Sequence, residues 1–165
     1  MSAGWAYFWP LLAAGIVLGM IVGLYGFRRR KRWGPLAAGA TAAIVAAWLW
    51  HAPLGAADAF RTKVERDARV TLDNYEMTQV DARLQRDPLT RTLSLKGQAD
   101  DFQRGELVRV MSSLEGVRKA SWAQRERTLP LILEGLLTAL LGYLVGLLVA
   151  YLVELRRRYN AQWKW

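Results

Sequence analysis

The chain has 165 residues, 23 Lys and Arg against 14 Asp and Glu, and a formal net charge of +9. It has no cysteine and a single histidine, His51. That excludes a disulfide framework, a thiolate metal site and a multi-histidine metal site, and leaves no evident general base beyond the carboxylates.

Charge is segregated along the chain. Residues 1 to 27 and 33 to 57 carry no Lys, Arg, Asp or Glu, and the acids concentrate between Asp58 and Glu126. The first apolar run, residues 5 to 27, predicts a transmembrane helix within 1–27. Arg28, Arg29, Arg30, Lys31 and Arg32 follow in a short loop, 28–33. A second apolar run predicts a transmembrane helix over 34–54. The third, "LPLILEGLLTALLGYLVGLLVAYLV", is apolar apart from Glu134 and predicts a transmembrane helix within 128–155. Each run reaches the roughly 20 residues that a helix needs to cross the hydrocarbon core.

Lys- and Arg-rich short loops stay on the cytoplasmic side. The 28–33 loop and the 156–165 tail, with Arg156, Arg157, Arg158 and Lys164, share one side if the chain crosses three times. The two basic segments hold nine cations, whereas residues 55 to 128 hold 14 cations against 12 acids. The expected location is a bacterial inner membrane, with the N-terminus periplasmic and the C-terminus cytoplasmic. The basic run follows the first apolar stretch, whereas a signal peptide carries its cations before it, so the first helix is expected to be retained. Membrane lipid, anionic lipid in particular, accounts for these cations, and no nucleic-acid partner is expected. Trp5, Trp9, Trp33, Trp48 and Trp50 fall where aromatic side chains mark membrane interfaces.

Residues 55–127 predict a periplasmic α/β domain. Phe60, Val64, Ala68 and Leu72 recur every four residues, a helical stripe. "TQVDARLQ" and "TLSLKGQ" alternate as strands do, with a turn at "RDPLT" between them. Asp100 and Gln103 form a capping-box pattern before a helix that places Leu107, Val110, Met111 and Leu114 on one face. "VRKASW" reads as a third strand. The fold class is therefore α-helical membrane protein, with three transmembrane helices and a small α+β domain of order α-β-β-α-β. "LSLKGQADDFQRGELVRVMSSLEGVRKASW" resembles the core of a BON domain: a strand ending in Gly97, an aliphatic-rich helix, then Gly116–Val117 and a closing strand. With the preceding helix and strand the resemblance spans about residues 57 to 122. It implies an envelope-facing module associated with membranes, phospholipid or partner proteins, without enzymatic activity. Gly97 and Gly116 are read as structural, at a strand exit and a helix stop.

No nucleophile elbow, phosphate loop, dinucleotide fingerprint or metal-ligand pair is present. His51 has two readings. One is an interfacial histidine beside Trp48 and Trp50. The other is an axial ligand to a tetrapyrrole, bacteriochlorophyll or haem, with Ala47 four residues earlier leaving room for the macrocycle. That Ala-x-x-x-His spacing is similar to the site of bacterial light-harvesting polypeptides. Glu134 is an intramembrane polar group expected to snorkel or to pair with Arg125 or Arg127, or to serve a helix or subunit contact. Gly15, Gly19 and Gly23, with Gly142 and Gly146, recur at four-residue spacing that permits close helix approach. They serve either packing within the chain or contact with other integral membrane proteins.

Two functions fit. One is a non-catalytic accessory or scaffold subunit that stabilises a larger inner-membrane complex, a photosynthetic reaction-centre or light-harvesting assembly being one version. The other is a stand-alone envelope protein whose BON-like domain binds phospholipid or envelope partners.

Overall fold

The computed structural model describes residues 2–27, 33–122 and 128–162. The described residues fall into two compact units. One lies within Met1–Tyr7 and Gly55–Glu134, the other within Phe8–Leu54 and Gly135–Trp165.

The helical unit is built from α1 (Ala3–Gly26), α2 (Trp33–His51) and α5 (Leu131–Gln162), of which α1 and α5 begin in the other unit. All three are long and apolar enough to cross a membrane. Pro10 sits inside α1. α5 differs from the expected third helix at its far end. The helix runs on through Arg156, Arg157 and Arg158 instead of stopping before a separate tail. Arg, Gln and Ala are strong helix formers, and no Gly or Pro intervenes to end it. The basic run Arg28, Arg29, Arg30, Lys31 and Arg32 lies outside the described residues, as do Arg125 and Arg127.

The α/β unit has the expected order. α3 spans Ala56–Asn74, β1 Val80–Arg86, β2 Leu89–Gly97, α4 Asp101–Ser112 and β3 Lys119–Ser121. The sheet order is β1-β2-β3, with β1 antiparallel and β3 parallel to β2. α4 is thus the crossover that parallel strands require. The capping box forms at its start, and the Asp100 N–H donates to Gln103 Oε1 at 3.0 Å.

One face of the sheet supplies the core. Val80, Ala82 and Leu84 of β1, Leu93 and Leu95 of β2 and Ala120 of β3 are all buried, as is the Phe60–Val64–Ala68–Leu72 stripe of α3. Leu107 and Met111 of α4 complete it. Leu93 is central, because it faces Leu84 on one side and Ala120 on the other. Cutting such a side chain back to alanine costs about 2–5 kcal/mol. Gly55, Gly97 and Gly116 have left-handed backbone, and the last two are also crowded. Gly97 has φ +139°, and a Cβ there would press on the Gln79 carbonyl. Gly116 has φ +93°, and a Cβ would stand 2.9 Å from Val64 Cγ2.

The edge strand β1 is guarded. The Leu84 N–H donates to Glu65 Oε1 at 3.2 Å, and Arg69 Nη1 donates to the Val80 carbonyl at 3.3 Å. Glu65 and Arg69 lie one turn apart on α3, so one helix covers both ends of the exposed ladder. An uncovered edge is a template for unwanted strand pairing.

Candidate functional site

The helical unit brings together the five glycines singled out by their spacing. A Cβ on Gly15 would strike the Ala139 carbonyl and lie 2.9 Å from Tyr143 N. One on Gly19 would strike the Tyr143 carbonyl and lie 3.0 Å from Gly146 Cα. Gly142 and Gly146 meet the Leu12 and Ile16 carbonyls in return. Gly23 lies against Ala150 and Leu147. Backbone therefore meets backbone along α1 and α5, and only glycine permits that approach. Of the two uses open to these glycines, the structure employs packing within the chain.

Tyr143 adds a polar contact that sequence reasoning missed. Its hydroxyl donates to the Leu36 carbonyl of α2 at 2.7 Å. Gly39 makes the space, since a Cβ there would lie 2.7 Å from that hydroxyl oxygen. A tyrosine in an apolar helix carries no sequence signal for such a bond. The small residue at position 39, one turn beyond its acceptor, is the nearest thing to one.

His51 closes α2 and is half-buried. Ala47, whose small side chain is the expected space for a macrocycle, is only 3% exposed. It belongs to the buried stripe Gly39, Ala43 and Ala47, the face that α2 packs inward. The nearby cavity, lined by Pro10, Ala14, Ala43, Ala46, Trp50 and Ala139 among others, measures about 90 Å³. Ligand pockets run to about 300–1,000 Å³. The residues around Ala47 do not fit a bacteriochlorophyll or haem, because protein already covers the side chain that was to make room.

At the far end of α5, Glu154 holds Arg158 at 3.2 Å and Arg157 at 3.8 Å. Arg158 also reaches the Phe27 carbonyl at 3.4 Å, just past the end of α1. A cation suits a helix C-terminus, where carbonyls lack partners. Phe27 packs edge-on against Tyr151, with ring centroids 5.8 Å apart.

Glu134 lies in the α/β unit, where it pairs with arginine side chains. Its two oxygens are taken by Arg91 Nη1 at 3.2 Å and Arg118 Nη1 at 3.0 Å. The carboxylate side chain is 13% exposed. Arg91 also donates from Nε to the Gly116 carbonyl at 2.9 Å. Arg118 donates its backbone N–H to the Arg91 carbonyl at 2.8 Å. One carboxylate thus ties the first turn of α5 to β2 and to the loop after α4. Arg91 lies 43 and Arg118 16 residues from Glu134 in sequence, while the expected partners Arg125 and Arg127 lie outside the described residues. Close by, the Tyr7 and Phe60 rings meet at 5.8 Å.

The sheet face away from the core is polar. Thr90 and Thr92 are nonetheless buried, because the segment before α5 covers them. Thr92 Oγ1 and Thr128 Oγ1 are 2.9 Å apart, and Thr90 bridges to Pro130. Further along, Asp81, Arg83 and Gln85 of β1, with Ser94 and Lys96 of β2, line an open groove of about 580 Å³. Ser94 and Ser121 are neighbours across β2 and β3, and each has a buried hydroxyl oxygen without a hydrogen-bond partner.

No family model, curated protein or solved structure matches the chain.

Proposed function

We propose that this is an integral membrane accessory subunit, non-catalytic, which stabilises a larger inner-membrane complex through its helices and a BON-like extramembrane domain. The observation that carries the membrane part is the apolar exposure of the helical unit. Val17 and Ile21 of α1, Val45 and Trp48 of α2, and Leu137, Leu141, Leu148 and Leu152 of α5 all point outward. Water does not tolerate so much contiguous apolar surface, and hydrocarbon does. Glu134 and Arg156 are about 33 Å apart along α5 at ~1.5 Å per residue. That distance matches a hydrocarbon core of about 30 Å. On this reading the Arg156–Arg158 cations reach the cytoplasmic surface.

Because the glycine faces pack α1 on α5, partner contact falls to the outward faces and to the α/β domain. The order α-β-β-α-β, with Gly97 at the strand exit and Gly116 after the helix, supports the BON-like reading. The photosynthetic version draws no support from Ala47, whose side chain is covered.

A mild-detergent purification from native membranes tests the proposal, with mass spectrometry and an absorption spectrum on one sample. Stoichiometric recovery with a larger complex is expected. Recovery of the chain alone would sink the accessory reading and favour the stand-alone envelope protein, whose groove would then meet phospholipid headgroups. A pigment band that vanishes in His51→Ala would overturn the reading of Ala47.

A further inference from the structure

The groove on the polar face of the sheet has three properties that together specify a ligand. The first is charge. Asp81 accepts from Arg83 Nε at 2.7 Å and is the cross-strand neighbour of Lys96. Arg86, Lys96 and Asp87 make no ion pair among the described residues, and all three line the groove, so three cations face two carboxylates there. The surplus is cationic, and a guanidinium with free nitrogens takes a carboxylate in two parallel hydrogen bonds.

The second is an orphan. The Ser94 hydroxyl oxygen is buried and lacks a partner, although Ser94 lines the groove. Buried polar atoms are satisfied in the great majority of cases, so this hydroxyl, like that of its cross-strand neighbour Ser121, is open to a further partner.

The third is shape. The lining follows β1 from Asp81 to Arg86, about 17 Å at ~3.3 Å per residue. That is the length of an extended segment of about six residues and exceeds any single headgroup. The segment cannot join the sheet as a further strand, because Glu65 holds the Leu84 N–H and Arg69 the Val80 carbonyl. It must lie across the face and be read through side chains.

We propose that this groove binds an extended, carboxylate-bearing segment of a partner protein, with Arg86, Lys96 and the free nitrogens of Arg83 receiving its carboxylates and Ser94 completing a hydrogen bond. The inference rests on the accessory-subunit reading for the existence of that partner. It differs from lipid binding in needing a string of carboxylates rather than one phosphate.

The test uses the full chain in nanodiscs of phosphatidylcholine alone. A fluorescein-labelled hexapeptide of alternating Glu and Ser is titrated and followed by anisotropy. Saturable binding is expected, weakened by added salt. The Arg86→Gln/Lys96→Gln variant, which alters only exposed side chains, should bind about tenfold more weakly, with an unchanged circular dichroism spectrum. Four results would each overturn the proposal. They are no saturable binding, equal binding by the variant, equal binding of a Lys–Ser hexapeptide, or complete displacement by glycerophosphate at matched concentration. The last would mark a headgroup site. Peptide titration reads the groove, whereas co-purification from native membranes reads the accessory role, so failure of one is distinct from failure of the other.

Discussion

Substituting Gly19 by alanine tests the α1–α5 interface most directly. The added methyl would strike the Tyr143 carbonyl and stand 3.0 Å from both Gly146 Cα and Leu147 N. All three are backbone atoms, which no rotamer change can move aside. Carbon contacts are comfortable at about 3.5–4.0 Å, so the helices must part by roughly an ångström. Parting them also loosens the contacts at Gly15, Gly142 and Gly146. Overpacking of this kind costs about 1–3 kcal/mol. Alanine returns up to about 1 kcal/mol through its better helix propensity, leaving a net loss of about 0–2 kcal/mol. Gly4→Ala and Gly34→Ala are the controls, since a Cβ at either site meets nothing within 4 Å. They keep the propensity gain without the clash and should be neutral or slightly stabilising. The assay is reversible SDS-driven unfolding in mixed micelles, followed by circular dichroism. If Gly19→Ala unfolds at the same SDS fraction as Gly4→Ala, the backbone-to-backbone packing is wrong.

Tyr143→Phe removes the hydroxyl that donates to Leu36 and keeps the ring, so a loss of about 0.6–1.7 kcal/mol is expected in the same assay. No loss would mean that the ring and not the hydroxyl holds α2. Glu134→Gln leaves Arg91 and Arg118 without their shared carboxylate. Arg118 is more than half exposed, so solvent limits the effect to about 1–2 kcal/mol. Hydrogen exchange should quicken at β2 and in the loop after α4, and unchanged exchange there would refute the tie. Ala47→Leu should destabilise the helical unit by about 1–3 kcal/mol by overpacking a covered position. A neutral result would reopen the space beside His51. Glu65→Ala frees the Leu84 N–H and costs about 1 kcal/mol. Light scattering on the reconstituted protein should then show more association than wild type, as an opened sheet edge implies.

Much of this architecture is legible in the sequence because its causes are local. The Phe60–Val64–Ala68–Leu72 stripe declares a helix and its buried face, and all four side chains are buried. Alternation through Val80, Ala82 and Leu84 declares a strand with one face inward. Asp100 and Gln103 announce a helix start with a bond between them. The glycine repeats declare that something approaches closely, but not what. A repeat at four-residue spacing describes one surface of one helix, and its partner lies more than a hundred residues away. Ala47 shows how a local spacing leaves the neighbourhood open. Four residues were enough to suggest room for a macrocycle, and the inward face of α2 fills that room.

The three apolar helices, the order α-β-β-α-β and the buried faces of the α/β elements follow from the sequence, because hydrophobic period, capping and turn chemistry act within a few residues. Tertiary structure alone decided which groups meet. It joined Glu134 to Arg91 and Arg118, set the Tyr143 hydroxyl on α2 in the space left by Gly39, and laid α3 side chains over the free edge of β1. It also left a cationic groove on the polar face of the sheet. Each of these depends on groups distant in the chain arriving within about 3 Å of one another. A hydrogen bond or close contact is too short-ranged to leave any trace in the local pattern of either partner.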